Sequence, residues 1–493
     1  MSQTLYVAGE FYGIQKYVLG ITAAGAGQAK RLRARSFVVQ VLEEIAAEEL
    51  GKLGDTKVVM SGGGQFVLAL AAGEDMGARL LVFRAEFQKR LFEELGGELS
   101  FNLGWAETVT DARRARAVER RRPWAAIMTG PEGWIHKPMR FSDIFPPCDV
   151  CRKRPATEEW AADGPSESVC KRCDADRRIG AEIPRVDGVE LTEQNSEERL
   201  LGRGIRFLRS GEGTAGGGPG RMLHRHVPVH PNGNSLVTFE EIAAQASGDD
   251  LLGVLKADVD DFGALIDRHT QAGTLEELHR ISQDLDGFFS VAVQQMIVES
   301  PEWQPAVYTV FSGGDDLLLV GPWDRMLDFA AALEHAFSAG PGRLYNLKLS
   351  AAVSFMPPRI PIRHGVRRAE EELKKAKAGA KNQFATLHGV WRWETLRRTL
   401  GEGRELVRWF NCGAARKDVL RRLYSFATTD KPAAHLWAWE LGRNFPKGND
   451  RFEERLLFRR WGDAVLANWE KPSREETRAA LLYALTATRT RSH

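Results

Sequence analysis

Short apolar runs alternate with long amphipathic stretches over most of this chain, which marks out strands and helices in turn. Leu5 to Ala8 reads as a strand, and Gly13-Ile14-Gln15 leads into a helical stretch. Residues 36–50 read as an amphipathic helix with Ser36 as its N-cap. Lys57–Met60 and Phe66–Leu70 read as strands joined by Ser61-Gly62-Gly63-Gly64-Gln65, and a helix over about 76–95 and a strand from Leu99 to Trp105 follow. A second stretch has the same grammar. It runs strand (Leu251 to Ala257), helix (about 275–299), strand (306–311), strand (317–321), helix (324–338), strand (Leu347 to Phe355) and helix (365–377). Between the two, residues 141–240 show few long helices and include the glycine-rich loop Gly211 to Gly220, too poor in side chains to pack. Residues 396–493 carry no strand signal and several helical stretches rich in Arg, Leu and Trp. The pattern predicts an α+β protein divided at 1–140, 141–240, 241–395 and 396–493.

The two strand-and-helix stretches echo each other at their hairpins. In the second, Ala306–Val310 and Leu317–Val320 flank Phe311-Ser312-Gly313-Gly314-Asp315-Asp316, a tight β-hairpin in which glycine supplies the positive φ angles. Val59-Met60-Ser61-Gly62-Gly63-Gly64-Gln65-Phe66 lies over Val310 to Leu317, with Gly64 and Gln65 standing where the second copy has Asp315 and Asp316. Upstream, Gly13 lies over Gly263 and Ala8 over Asp258. A repeat at about 250 residues predicts two related α+β domains, of which only the second keeps its acids; the plainer alternative is two unrelated Ser-Gly-Gly hairpins.

Composition narrows the class. The 493 residues are 43% hydrophobic and 27% charged with a formal charge of +2, so nucleic acid would be met by local basic patches and not by a global positive field. No run of about 18 apolar residues occurs, and Met1 to Ile21 lacks the basic start and apolar centre of a signal peptide, which predicts a cytoplasmic protein without a membrane partner.

Candidate chemistry gathers at four kinds of place. Asp258, Asp260 and Asp261 crowd the end of a buried strand, and two further acids, Asp315 and Asp316, leave a bare diglycine turn. Magnesium takes oxygen ligands in octahedral geometry, and Asp258, the Val259 carbonyl and Asp315 or Asp316 supply such a set. Two ions there would activate a ribose 3′-hydroxyl and stabilise a pyrophosphate leaving group; the plain reading is a solvated acidic turn. Lys377 and Lys381, at the end of a helix, either neutralise triphosphate or form an ordinary basic helix end. Cys148, Cys151, Cys170 and Cys173 form a C-x2-C-x18-C-x2-C pattern, the spacing of a closed structural zinc site, while Cys412 reads as a core residue. The basic clusters Lys30-Arg31-Leu32-Arg33-Ala34-Arg35 and Arg113-Arg114-Ala115-Arg116 with Arg120-Arg121-Arg122 read either as solvated faces or as contacts to an RNA backbone.

In this order the motifs resemble the large subunit of type III CRISPR effector complexes, the Cas-ten (Csm/Cmr large-subunit) family, over nearly the whole chain. The residues that carry the likeness are Gly13-Ile14-Gln15, Arg31 to Phe37, Ser61 to Gly64, the four cysteines, Asp258 to Gly263, Gly313 to Asp316, and Ala376-Lys377 with Lys381-Asn382. The resemblance implies two ferredoxin-like palm domains of the GGDEF, polymerase–cyclase type, the first degenerate, joined by a zinc-binding linker and followed by a helical domain. It implies conversion of ATP to cyclic oligoadenylate when target RNA binds, with other effector subunits, CRISPR RNA and target RNA as partners. By carry-over Asp258, Asp315 and Asp316 would hold two magnesium or manganese ions, and Val259, Asp260, Phe262, Gly263, Ser312, Gly313, Gly314, Lys377 and Lys381 would line the nucleotide. Many members begin with an HD nuclease domain; here the first palm-like segment starts near Met1 and no His-Asp dipeptide occurs, so no DNase activity is expected. Glu10 stands where the family usually has Asp. Three other readings stay open: a non-catalytic scaffold of the same complex, a free-standing cyclase, and a synthase joining AMP to S-adenosylmethionine.

Overall fold

The computed structural model describes residues 3–21, 27–128, 145–160, 166–186, 188–194, 196–209, 212, 221–222, 226–230, 236–429, 433–443 and 452–489. Strand β1 (Gln3–Tyr12), helices α1 (Ile14–Val18) and α2 (Gln28–Gly51), strands β2 (Thr56–Gly62) and β3 (Gln65–Ala72), helix α3 (Met76–Leu95), strand β4 (Ser100–Ala106) and helices α4 (Val109–Glu119) and α5 (Ala125–Met128) make the first unit. Its sheet is antiparallel in the order β2-β3-β1-β4. Val7 and Phe11, alternate residues of β1, turn one face onto α2 and α3, where Val38, Leu42, Leu80, Phe87 and Leu91 complete a dry core.

The second unit repeats this order. Strand β11 (Leu252–Asp260) lies between β13 (Asp316–Pro322) and β14 (Lys348–Met356), with β12 (Tyr308–Gly313) outside β13, so β12-β13-β11-β14 matches β2-β3-β1-β4. Even the irregularities match. The β2/β3 ladder slips between Val58 and Met60, and the β12/β13 ladder slips between Thr309 and Phe311. A shared bulge at one register position is hard to reconcile with two unrelated hairpins.

The register corrects one detail of the repeat. Asp258 pairs with Asp316, and the residue that pairs with Gln65 in the first sheet is Glu10, not Ala8, which faces Val67. Glu10 is therefore the structural counterpart of Asp258. The Gly13–Gly263 match misled because two more residues separate Asp258 from its glycine than separate Glu10 from Gly13.

Other corrections concern the ends of elements. The helix expected from Ser36 begins eight residues earlier, at Gln28 after Gly27 (φ 90°), so Ser36 is interior: the intervening Lys, Arg, Leu and Ala are good helix formers. In the second unit, α8 (Phe262–Ala272) precedes α9 (Leu275–Gly287), which passes through a wide π-type turn at Phe288–Ala292 into α10 (Val293–Glu299). After α11 (Trp323–Ala339), α12 (Pro341–Tyr345), β14 and α13 (Ile362–Ala378), two unexpected strands, β15 (Gln383–Thr386) and β16 (Gly389–Arg392), extend the sheet.

Between the units lie β5 (Glu158–Trp160), β6 (Glu167–Val169), α6 (Lys171–Glu182) and a small sheet of β7 (Gly188–Thr192), β8 (Glu198–Leu200), β9 (Arg203–Leu208) and β10 (Arg221–Met222), then α7 (Phe239–Ala243). The glycine loop, Glu212 aside, lies outside the described residues. The tail folds as α14 (Trp393–Asn411), α15 (Lys417–Thr428), α16 (Ala433–Arg443), α17 (Phe452–Ala467) and α18 (Lys471–Ala487) around Trp409, Leu420, Trp437 and Phe458. Cys412 caps α14 half-buried, its thiol donating to the Trp409 carbonyl (3.4 Å), and so is not a core residue.

The units cover each other's sheet edges. Helix α9 packs on β2 and α2 packs on β12. Ile266 and Leu278 of the second unit share an apolar cluster with Ala8, Val59, Met60 and Val67 of the first. Lys57–Glu276 (3.4 Å) and His279 Nδ1 to the Val59 carbonyl (3.3 Å) flank it.

Candidate active site

The reciprocal packing brings the two diglycine turns together. A Cβ built on Gly62 would lie 3.1 Å from the Cα of Gly314, and one on Gly314 would lie 3.1 Å from the amide nitrogen of Gly63. Each tip is held from behind by a helix carboxylate. Asp286 of α9 accepts the Gly314 amide (2.9 Å), while Glu43 of α2 accepts the Gly64 amide (3.1 Å) and the Ser61 hydroxyl (2.5 Å). Ser312 donates to the carbonyl of Phe289 (2.5 Å), inside the π-type turn where the widened backbone exposes acceptors.

Behind the tips lies a cavity of about 350 Å³, bounded by Gln15, Ser36, Glu43, Ser61 and Gly62–Gly64 on one side and Lys256, Asp286, Ser312–Gly314 and Asp316 on the other. Lys256 is buried on β11, two residues before Asp258 and on the same strand face. Its ammonium donates to the Gln15 amide oxygen (2.7 Å), whose nitrogen donates in turn to Glu370 (2.8 Å) once the amide is turned to suit both neighbours. Lys256, Gln15, Asp286 and Glu43 were not among the expected site residues. An acid or lysine inside an apolar-periodic segment looks like an ordinary surface position until the opposite element is known.

The expected acids are neighbours across the β11/β13 pair, and of them Asp316 lines the cavity. Asp258 and Asp316 are cross-strand partners, and Val259 donates its amide to the Asp315 carbonyl (3.0 Å). Burial is the largest influence on all three carboxyls and raises each; Asp315 reaches about 6 with the Asp258 charge adding to the effect, and Asp316 is held well above the usual range with Asp315 and Asp258 beside it. Lys377 of α13 binds the Asp258 carboxylate and lies 3.4 Å from the Val259 carbonyl. Three crowded carboxyls with raised proton affinity are the donor set of a divalent-cation site, and they fit magnesium or manganese in kind. Lys377 pairs with Asp258 there.

The remaining expected residues divide. Asp260 is buried and turned inward, its Oδ2 accepting from Ser350 (2.8 Å) and the Asn382 amide (2.8 Å), so it pins the turn after α13. Lys381, in the left-handed region (φ 54°), pairs with Asp261 in solvent. Phe262 opens α8 half-buried against the cluster between the units, and Gly263 is exposed beside it.

The counterpart site in the first unit is filled by protein. Arg116 of α4 lies 3.4 Å from Glu10 and donates to Gln65 (3.0 Å), and Arg120 also pairs with Glu10 (3.3 Å). A guanidinium sits where the second unit has crowded acids.

The four cysteines converge, all buried, with their sulfurs within 4.8 Å of one another. Hydrogen bonds among them lower Cys148 and raise Cys173. Amides of Lys153 and Cys173 donate to Cys151 (3.5 Å) and Cys170 (3.5 Å), as the sulfurs of a structural zinc site require. The residues fit zinc.

The three arginines of the first basic cluster do not form a solvated face. Arg31, Arg33 and Arg35 are 1%, 3% and 0% exposed and bond to the cysteine module and to β12. In the second cluster Arg113 pairs with Asp267 of α8.

Comparison with known proteins agrees with this geometry. The family described as "Cas10/Cmr2, second palm domain" matches residues 251–385, and "Csm1 subunit domain B" matches residues 3–127. The subtype III-A Cas10/Csm1 single-strand-specific deoxyribonuclease of Thermococcus onnurineus is 26% identical over 434 residues, covering 77% of this chain and 54% of the relative. That of Enterococcus italicus is 30% identical over 152 residues, covering 29% of this chain and 19% of the relative. The chain thus spans about half the length, or less, of these curated relatives. Crystal structures of a Csm1–Csm4 cassette with cA4 (TM-score 0.72, 18% identity, 98% of this chain and 70% of that one) and with AMPPNP (0.71, 18%, 99% and 70%) share its fold. No helix among the described residues is long and apolar enough to cross a membrane. With two domain matches in the family's order around a shared architecture, the chain belongs to the Cas10/Csm1 family of type III CRISPR large subunits.

Proposed function

We propose that this chain makes cyclic oligoadenylate from ATP at its Gly-Gly-Asp-Asp hairpin, within a type III ribonucleoprotein switched on by target RNA. The observation that carries the reading is the meeting of a live hairpin, Gly313 to Asp316, with an acid-free copy, Gly62 to Gln65, over one cavity. In this reading the first unit is a pseudo-palm and the second the catalytic palm.

Each unit then seats one nucleotide. The ribose 3′-hydroxyl of one gives up its proton to solvent as its oxygen attacks the α-phosphorus of the other; a phosphodiester forms, the bond to the bridging oxygen breaks and pyrophosphate leaves. Asp258, Asp315 and Asp316 would hold the metals, and two magnesium or manganese ions there would lower the hydroxyl's pKa and balance charge on the leaving group. The side-chain-free tip Gly313-Gly314 lets the opposite hairpin close against it, and Asp286 and Glu43 keep the tips in register. Lys377 and Lys381 move from their carboxylate partners to the triphosphate. Zinc in the cysteine cage is structural. Other subunits of the complex, CRISPR RNA and target RNA are the partners, and the cytoplasm is the place of action. Turnover of ATP by the assembled complex with and without target RNA tests the reading: RNA-dependent turnover supports it, and none, or turnover indifferent to RNA, opposes it.

A further inference from the structure

Helix α2 carries three buried arginines, and they leave it in two directions. Arg31 and Arg35, one turn apart, reach the cysteine module. Arg31 donates to the Cys173 carbonyl (3.2 Å) and to Glu167 (3.0 Å); Arg35 donates to Asp176 (2.9 Å), to the Tyr17 carbonyl (2.8 Å) and to the Cys173 sulfur (3.6 Å). Arg33, on another side of the helix, donates to the Gly180 carbonyl (3.2 Å) and to the Tyr308 hydroxyl, and its guanidinium lies 4.8 Å from that ring's centre. Tyr308 is itself fully buried and donates to the Ala29 carbonyl (2.7 Å). It belongs to β12, four residues before Ser312 of the catalytic hairpin.

Among the described residues, Arg31 and Arg35 have carboxylate partners, whereas the partners of Arg33 are a carbonyl and a phenol, and one of its nitrogens, Nε, has none. A buried guanidinium without a counter-ion is costly, and a methionine of similar volume would be more comfortable. What such a charge can supply is one fixed arrangement of the parts it joins. Contact with α6 is equally demanding, since a Cβ on Gly180 would lie 1.9 Å from the Lys30 carbonyl oxygen. Further along, α2 also presents Glu43 to the first hairpin.

One helix therefore touches the cysteine cage, the strand leading to the live hairpin and the tip of the silent one. We propose that α2 is the beam that sets the two tips against each other, with Arg33 and Tyr308 as positioning residues and the metal-loaded cysteine cage as its anchor. A zinc tetrathiolate carries net negative charge, which favours the guanidinium of Arg35 at Cys173; emptying the cage removes that attraction and loosens α2 and, through Arg33, β12. The inference rests on the catalytic reading of the hairpin only for its effect on turnover.

The test uses the assembled complex carrying wild type, Tyr308→Phe or Arg33→Met, and wild type treated with a zinc chelator. Hydrogen exchange of the 308–313 amides, zinc content and ATP turnover are read together. Tyr308→Phe is expected to keep its zinc, to speed exchange at 308–313 by about tenfold or more, and to lower kcat with KM for ATP little changed. Chelation is expected to speed the same amides. Exchange at 308–313 unmoved by Tyr308→Phe and by zinc removal would overturn the proposal, as would a change in KM alone. Absence of turnover in the wild type would count against the catalytic reading while leaving the exchange coupling measurable.

Discussion

Gly62 and Gly314 meet tip to tip, so closely that a Cβ on the first would lie 3.1 Å from the Cα of the second. Gly314 also has φ 66°, the left-handed region that a β-branched residue resists. Gly314→Val should strain its own turn by about 1–2 kcal/mol and push the tips apart. We expect ATP turnover to fall about tenfold or more, with only a few degrees lost in melting temperature. Unchanged turnover would mean that the tips need not touch.

Burial and neighbouring acids hold Asp315 near 6 and Asp316 well above the ordinary carboxylate range. Since these folded values exceed those of the unfolded chain, about 3.9, the folded state binds more protons between them, and stability falls as pH rises through that window. Without divalent cations, Asp316→Asn should therefore melt higher than wild type at pH 7.5 and much like it at pH 4, a gain of about 2–4 °C per kcal/mol recovered. Added magnesium should raise the wild type and leave the variant little changed. Melting curves at the two pH values, with and without metal, check this.

Lys377 pairs with the Asp258 carboxylate. Lys377→Met should cost about 1.5–3 kcal/mol of charge-assisted bonding and raise KM for ATP about tenfold or more. Lys377→Arg should restore part of it. Steady-state kinetics of the three proteins decide the point.

Much of this site could be read in the chain, because its signals are local. Diglycine turns between apolar runs, paired C-x2-C knuckles and the repeat of Ser61-Gly62-Gly63 at Ser312-Gly313-Gly314 depend on neighbours in sequence. What escaped depends on neighbours in space. Arg31, Arg33 and Arg35 looked like a solvated or RNA-facing run because buried guanidinium groups are rare, and only the module folded against α2 supplies Glu167, Asp176 and the Gly180 carbonyl. Ala8 was set over Asp258 in place of Glu10 because strand register, not sequence spacing, decides which residues correspond. Strands β15 and β16, four residues each, were too short to show a period.

Cys148→Ser with Cys151→Ser should take metal content from about one zinc per chain to none and lower the melting temperature sharply, because such a cage contributes directly to folding. Wild-type stability in the double variant would place the fold's support elsewhere, in the ion pairs of Glu98 with Lys153 and Arg154.

The central claim is that Asp315 and Asp316 serve a cyclising nucleotidyl transfer. Mass spectrometry of the products made from ATP and magnesium by the assembled complex with target RNA tests it most directly. Cyclic oligoadenylate from wild type and none from Asp315→Ala/Asp316→Ala is the predicted result. No product from either, or the same product from both, would contradict it.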